Sequence, residues 1–534
     1  MTAADHLTQA ISDAYDETPY ISNAFPYTSP GNLRAVATLY GLATPQLANA
    51  RVLELGCAAG GNLLPFARAY PDAQVIGIDL SPQQIEAGQR VAEKTGARNL
   101  DLRAMSLTDI TPDFGTFDYI ICHGVFSWVP PEVRDAILRI CRENLAPDGI
   151  AYVSYNTYPG WKAADVVRDA MILNSFGAQT AQEKLSSAKE MLELIENGLW
   201  HNNPLHSALQ SVAGKLRGQS DHYLLHEYLE AINTPCYFLE FAAAAQQAGL
   251  AYVTDAEPQL TFASTYGSKV ALGLNSLSAN SNREMREQYL DFAVGRSFRK
   301  SLLVHADRAG GMLEQPEGSA FKAMHFATRL DAAPPTPNAS PEHRHYLTPN
   351  GATLSTKDPA MIGMIDALNT AWPRSLPFEA LLEIATSSKS GVPHDDVANS
   401  LYMNLITLVQ SSAVNFRMES APYLPADSKP ALIPGARELL GEVTGQASQV
   451  GMYNLWHQPA TPPASALAQF LALHMDGSRS LSDLRTLARD ALTSGRIAHP
   501  DGRSYKGARN LEPVAQEFVN ALLTQLRHSG LLAN

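Results

Sequence analysis

The stretch RVLELGCAAGGNLLPFARAYPDAQVIGIDLS, Arg51 to Ser81, decides the fold. Its apolar run Val52 to Leu55 ends in Gly56-Cys57-Ala58-Ala59-Gly60-Gly61, after which Leu63, Leu64, Phe66 and Ala67 recur at helical spacing. Tyr70-Pro71-Asp72 breaks that segment, and a second apolar run, Val75 to Ile78, ends at Asp79. Strand, tight turn, helix and strand make one right-handed crossover unit, which brings Asp79 beside the first turn. Glycine lets the backbone approach a ligand, amides at a helix start bond it, and an acid ending the second strand accepts from both hydroxyls of a ribose. The residues therefore read as a doubly wound α/β domain for a nucleoside-bearing cofactor. The glycines miss the G-x-G-x-x-G spacing of dinucleotide sites.

Working outward, Leu100 to Ala104 predicts a third strand followed by Met105-Ser106. Phe117 to Cys122 predicts a fourth, running into His123-Gly124-Val125-Phe126-Ser127-Trp128-Val129-Pro130. A helix from Pro131 to Asn144 precedes a fifth strand, Ile150 to Ser154, which delivers Tyr155-Asn156-Thr157-Tyr158-Pro159-Gly160-Trp161. With Glu54 opening an E-x-G-x-x-x-G turn, this order resembles the class I S-adenosylmethionine-dependent methyltransferases. The resemblance implies a Rossmann-like methyltransferase domain with S-adenosylmethionine as its cofactor. The binding residues it implies are Glu54, Gly56, Cys57, Ala58, Gly60, Asn62, Asp79, Leu80, Met105, Ser106 and His123. The aromatic, proline-rich loop Asp16 to Pro30 has two readings: Tyr20, Phe25 and Tyr27 line the methyl-transfer pocket, or they pack the loop against the domain.

Acceptors enter this fold class over the carboxyl ends of the fourth and fifth strands. His123, Phe126, Trp128, Tyr155, Asn156, Tyr158 and Trp161 fall there, and the candidate catalytic set is His123, Tyr155, Asn156, Trp128 and Trp161. In one reading Tyr155, Trp128 and Trp161 wall a channel for an aliphatic cation held by cation–π attraction, while His123 contacts the cofactor or helps remove a proton. In the other, Trp128 and Trp161 are hydrophobic anchors for two loops. Enzymes that methylate nucleobase or amide nitrogens carry an Asn/Asp-Pro-Pro-Tyr turn where this chain has CHGVFSW, so those acceptors are disfavoured.

Beyond Trp161, Ala163 to Ser175, Ala181 to Asn197 and Pro204 to Arg217 carry apolar residues at three- and four-residue intervals, a helical insert suited to a lid or a dimer contact. The blocks YLLHEYLEAINTPCYF (Tyr223 to Phe238) and EQYLDFAVGRSFRKSLL (Glu287 to Leu303) narrow the resemblance. The chain is similar to bacterial methyltransferases carrying a methyltransferase regulatory domain, among them rickettsial-type lysine methyltransferases that modify an outer-membrane protein. That implies lysine N-methylation of a bacterial surface or outer-membrane protein. The alternatives are a small-molecule O- or N-methyltransferase acting on a natural product or lipid, and a scaffold that binds the cofactor without turnover. His222, His226 and Glu227 lack the H-E-x-x-H pattern, so no metal is expected.

At 534 residues the chain holds about three to four domains. The expected divisions are 1–165 for the methyltransferase domain, 166–260 for a helical insert or regulatory region suited to dimerisation, 261–341 for a middle region and linker, and 342–534 for a winged-helix-like C-terminal region. The linker is the proline-rich segment 331–341. A formal charge of −13 argues against nucleic acid as a partner, and Asp395 to Leu408, where a recognition helix would lie, contains no Lys or Arg. Protein contact or dimer scaffolding, with a homodimer expected, is favoured for that region. Cys57, Cys122, Cys141 and Cys236 lack metal-type spacing and read as reduced core residues. The start lacks a basic region and an apolar core, and no run of roughly 18 apolar residues occurs, so a cytoplasmic location without membrane insertion is expected.

Overall fold

The computed structural model describes residues 21–335, 340–388, 391–420, 429–445, 448–500, 502–508 and 510–533. Five parallel strands, β1 (Arg51–Leu55), β2 (Gln74–Asp79), β3 (Leu100–Ala104), β4 (Phe117–Cys122) and β5 (Leu145–Tyr158), lie in the order β3-β2-β1-β4-β5. The short β6 (Cys236–Tyr237) pairs with the end of β5. The sheet continues through β8 (Phe298–His305) to β7 (Leu250–Asp255), with β8 antiparallel to both neighbours. It thus draws strands from both sides of the boundaries expected at residues 165 and 260.

Strand periodicity sorts the sheet residues onto two faces. Val52, Val75, Tyr119, Tyr152, Leu302 and Val304 look one way, whereas Leu53, Ile78, Ile120, Val153, Tyr155 and Leu303 look the other. The first face shares one buried cluster with Met364, Leu439, Leu467 and Leu522 of the C-terminal region. The C-terminal region is therefore packed into the same core as the cofactor domain. Polar links cross the same seam, from Lys94 to Glu442 at 2.7 Å and from Arg34 to Glu419.

The helical insert has its own core, in which helices Trp161–Asn174, Ala181–Asn197 and His206–Arg217 bury Val167, Met171, Leu185, Leu192 and Leu209. Helix Ala181–Asn197 starts on a capping box made by Thr180 and Glu183. In the C-terminal region, helices Pro359–Ala371, Phe378–Ser388 and His394–Gln410 accompany a three-stranded antiparallel sheet of His325–Ala327, Leu376–Pro377 and Asn415–Arg417, a winged-helix-like unit. A second helical run follows in Ala466–Leu473, Leu481–Ser494 and Glu512–His528. The expected linker is partly structured, since Asp331–Ala332 pairs antiparallel with Arg344–Leu347. Residues 336–339 lie outside the described set.

The block at Glu287 to Leu303 is an ion network. Helix Arg283–Val294 ends at Gly295 in the left-handed region, and the chain turns directly into β8. Arg299 is fully buried: its Nε and Nη2 donate to the two carboxylate oxygens of Asp291 at 2.8 Å, and Nη2 donates to Glu287 Oε2 at 2.9 Å. Its guanidinium carbon stands 4.0 Å from the centroid of the Phe238 ring. Arg296 Nε donates to Asp291 at 2.6 Å. Removing the arginine would leave two buried carboxylates short of their cation. Arg299→Ala is therefore expected to destabilise the fold by about 3–5 kcal/mol, read as a lower midpoint in chemical denaturation. An unchanged midpoint would show that these ion pairs contribute nothing measurable to the fold.

Candidate functional site

The turn after β1 is a close meeting of backbones. Gly56, Ala58 and Gly60 have φ of 76°, 49° and 72°. Gly56 N and Cys57 N both donate to Ile78 O, at 2.8 and 3.0 Å, tying the turn to β2. A Cβ on Gly56 would sit 2.4 Å from Val125, and one on Gly61 would sit 2.1 Å from Ser22 O. The turn thus touches the loop after β4 on one side and the segment preceding the domain on the other. The Cys57 thiol is buried under the turn, where a Cβ on Gly77 would come within 2.7 Å of it, so that residue offers a ligand only its backbone.

Asp79 ends β2 with one carboxylate oxygen accepting from Ala58 N at 2.7 Å and the other from Ser81 N at 3.0 Å. Two amides orient the acid, whose place at the end of β2 suits a ribose diol. Leu80, Met105 and Ser106 are half-buried beside it; Met105 N donates to Asp79 O at 2.9 Å, and Ser106 caps the short helix Leu107–Asp109. These residues converge as the sequence predicts.

Glu54 is buried, and Asn62 Nδ2 donates to its Oε1 at 2.6 Å. Among the described residues its Oε2 has no hydrogen-bond partner. Burial pushes its pKa up to about 8. An orphaned, buried carboxylate oxygen beside the glycine turn fits the ammonium of an amino-acid moiety, and Asp79 fits the ribose. The residues present therefore suit S-adenosylmethionine, which would supply the methyl group. Asn62 acts through Glu54, because its Oδ1 lies within bonding distance of Phe25 N, Thr28 Oγ1 and His457 Nε2 at 3.0, 2.9 and 3.2 Å.

At the carboxyl ends of β4 and β5, His123 has Nδ1 3.0 Å from both Tyr152 Oη and Ser154 Oγ, which lie on one face of β5. Ring centroids of Phe25, Tyr27 and Phe298 lie 4.3, 5.5 and 6.1 Å from its own. Burial and Lys300 lower its pKa to about 3, so the imidazole is neutral. Lys300 itself has Nζ 4.5 Å from the Tyr27 centroid and an ion pair with Glu257, and burial lowers its pKa.

The rings expected to wall an acceptor channel stand away from His123. Tyr155 points to the opposite sheet face, stacked on Phe241 at 4.0 Å with its hydroxyl 3.0 Å from Ser301 Oγ. Strand alternation separates it from Ser154, and the channel role is withdrawn. Trp161 is buried against Tyr228 at 5.4 Å and meets Trp128 edge-on at 6.5 Å within the core of the insert, so these two are anchors and not channel walls. Asn156 is buried, with its amide nitrogen donating to Asn233 Oδ1 at 3.0 Å. Tyr20 lies outside the described residues, whereas Tyr27 is in place. His226 Nδ1 is 3.2 Å from Glu230, and no metal-holding group of three or more His, Cys, Asp or Glu occurs among the described residues. Sequence reading missed Ser22, Thr28, Phe298, Lys300 and His457. The first four sit in segments whose pattern reports only strand or loop, and His457 carries no local signal.

Two family models match, a methyltransferase domain over residues 52–149 and a methyltransferase regulatory domain over residues 220–305. RP789 of Rickettsia prowazekii is 32% identical over 486 residues, covering 89% of this chain and 84% of that protein. RP028 of the same organism is 42% identical over 235 residues, 44% of this chain and 94% of that protein. Among solved structures, PKMT2 from Rickettsia typhi in complex with AdoHcy matches with a TM-score of 0.82 and 28% identity, covering 97% of this chain and all of that one.

Two outcomes follow from this geometry. The free protein holds Glu54 protonated below about pH 8, whereas a bound ammonium favours the carboxylate, so cofactor binding at about pH 7 should release a proton and affinity should rise with pH up to that value. Calorimetry of AdoHcy binding in buffers of different ionisation enthalpy reads this directly, and Glu54→Gln should abolish the release. Tyr155→Phe should cost about 1 kcal/mol of stability from the lost hydrogen bond while leaving turnover unchanged; a large loss of turnover at unchanged stability would restore Tyr155 to the site.

Proposed function

This chain belongs to the S-adenosylmethionine-dependent methyltransferases that carry a methyltransferase regulatory domain, and from that premise we propose that it methylates lysine side chains of a bacterial outer-membrane or surface protein. The observation that supports the acceptor reading is the cluster of rings packed around His123. An alkylammonium is already accommodated there, since Lys300 is held by the Tyr27 ring and the Glu257 carboxylate. A substrate lysine entering beside it would meet the same chemistry.

Methyl transfer is an in-line displacement, so the protein's part is to align the acceptor and keep its nitrogen lone pair available. Burial among Phe25, Tyr27 and Phe298 disfavours the charged amine. His123 is neutral and engages two hydroxyls through Nδ1, which leaves Nε2 as the nitrogen able to meet the acceptor. With Nδ1–H donated to a hydroxyl, the neutral Nε2 can accept a hydrogen bond from the amine and align its lone pair, but an imidazole whose pKa is lowered to about 3 does not take up the proton; the amine reaches the site neutral because burial disfavours its charged form. The helical insert serves as a homodimer face in this reading. Phe176 is 91% and Trp200 65% exposed on it, with Leu173 and Leu194 also exposed. The acidic chain suits a basic, lysine-bearing partner met in the cytoplasm.

The test is to incubate the purified protein with labelled S-adenosylmethionine and the membrane and surface fractions of its source, then locate the label by mass spectrometry. Label on lysines of one or a few proteins is expected, and Asp79→Ala should remove it. Label only in small molecules would replace the protein acceptor by a natural-product or lipid oxygen or nitrogen. His123→Phe, which keeps a ring and loses both nitrogens, should lower kcat about a hundredfold through lost alignment of the acceptor while AdoHcy affinity stays within about threefold. Equal loss of both would assign His123 to cofactor binding.

A further inference from the structure

We propose that His457, from the C-terminal region, is a positioning residue of the cofactor site that acts through Asn62 to aim Glu54, and that its segment clamps residues 22–28 onto the glycine turn. The inference rests on the cofactor and not on the lysine acceptor. His457 is buried, 395 positions from Asn62, with Nε2 3.2 Å from Asn62 Oδ1. Phe25 N donates to the same oxygen at 3.0 Å, and the single Thr28 hydroxyl hydrogen has a second acceptor, Phe25 O, at 2.8 Å. Phe25 N–H and His457 Nε2–H then fill the two lone pairs of Oδ1. The amide can face Glu54 only with its Nδ2, so Oε1 is occupied and Oε2 stays open for a cation. Burial and Arg417 keep the imidazole neutral, which leaves it one N–H to give.

The backbone around His457 is built for this aim. Its φ is 60°, a conformation glycine adopts more readily. Asn454 Oδ1 accepts from Trp456 N and Gln458 N at 2.9 and 3.0 Å on either side of it, and the Trp456 indole donates to Pro373 O at 2.9 Å. A few residues earlier the same segment runs alongside Ser22. Ser22 N donates to Gln449 O at 2.7 Å, and Gly451 N donates to Ser22 O at 2.9 Å. Ser22 Oγ in turn accepts from Gly61 N at 2.8 Å. A Cβ on Gly451 would meet Asn23 Oδ1 at 2.1 Å, so no side chain separates these layers. Cofactor affinity thus depends on residues far outside 52–149, the span of the methyltransferase-domain model.

The test uses the full chain and calorimetric titration with AdoHcy. His457→Gly relieves the left-handed backbone but removes the donor, so its melting temperature should hold while Kd rises about tenfold, the scale of one buried hydrogen bond. His457→Phe should show the same loss, and His457→Gln, which restores an N–H, should bind within about threefold of the parent. Hydrogen exchange on the unmodified protein gives an independent reading: AdoHcy should slow exchange at the amides of Ser22, Gly61 and Gly451. If the glycine variant does not fold, the Gln and Phe pair with the exchange data gives the same decision. Parental affinity in the Gly or Phe variants, equal loss in the Gln variant, or no change in exchange at those three amides would overturn the proposal.

Discussion

The arrangement depends on a backbone turn with no room for side chains. Gly56 to Gly61 is approached by Val125 from the loop after β4, by Leu102 from β3, and by Ser22 from the segment ahead of the domain. Gly88 in helix Pro82–Thr95 lets that helix approach Ala59 O, where a Cβ would come within 2.5 Å. Each approach replaces solvent with backbone or apolar contact. Because the turn is enclosed, Glu54 behind it is desolvated, and desolvation raises its pKa and leaves one of its oxygens waiting for a cation.

The same enclosure makes the protein one working unit. The core on one sheet face runs from Val52 to Leu522, and the polar contacts of Asn62 are supplied by the amino-terminal segment and the C-terminal region together. On the other side, the Arg299 network ties helix Arg283–Val294 to β8, which brings Phe298 and Lys300 beside His123 and Tyr27. The regulatory-domain block is thus a structural element of the sheet that also supplies neighbours of His123.

Local pattern was enough for the cofactor half. A turn rich in glycine, an acid at the end of the second strand and apolar runs of strand length are all features of neighbouring residues; β1 to β4 fell where their runs predicted, while β5 runs from Leu145 to Tyr158, past both ends of the expected Ile150 to Ser154. The acceptor half was less legible. An aromatic residue near a strand end is equally compatible with either sheet face, and a displacement of one position reverses the side. Tyr155 went to the Phe241 face for that reason, while Ser154 beside it went to His123. Trp128 and Trp161 were claimed by the insert, whose helices had apolar stripes to cover.

By itself, then, the sequence determined a Rossmann-like cofactor domain, the glycine turn with the acids beside it, and an α-rich remainder with winged-helix-like order, because each follows from spacing within a few dozen residues. Only the tertiary structure decided which rings surround His123, how β8 enters the sheet, and that His457 reaches Asn62. Those are contacts between segments tens to hundreds of residues apart, set by which apolar faces bury one another, and no periodicity along the chain encodes such a meeting.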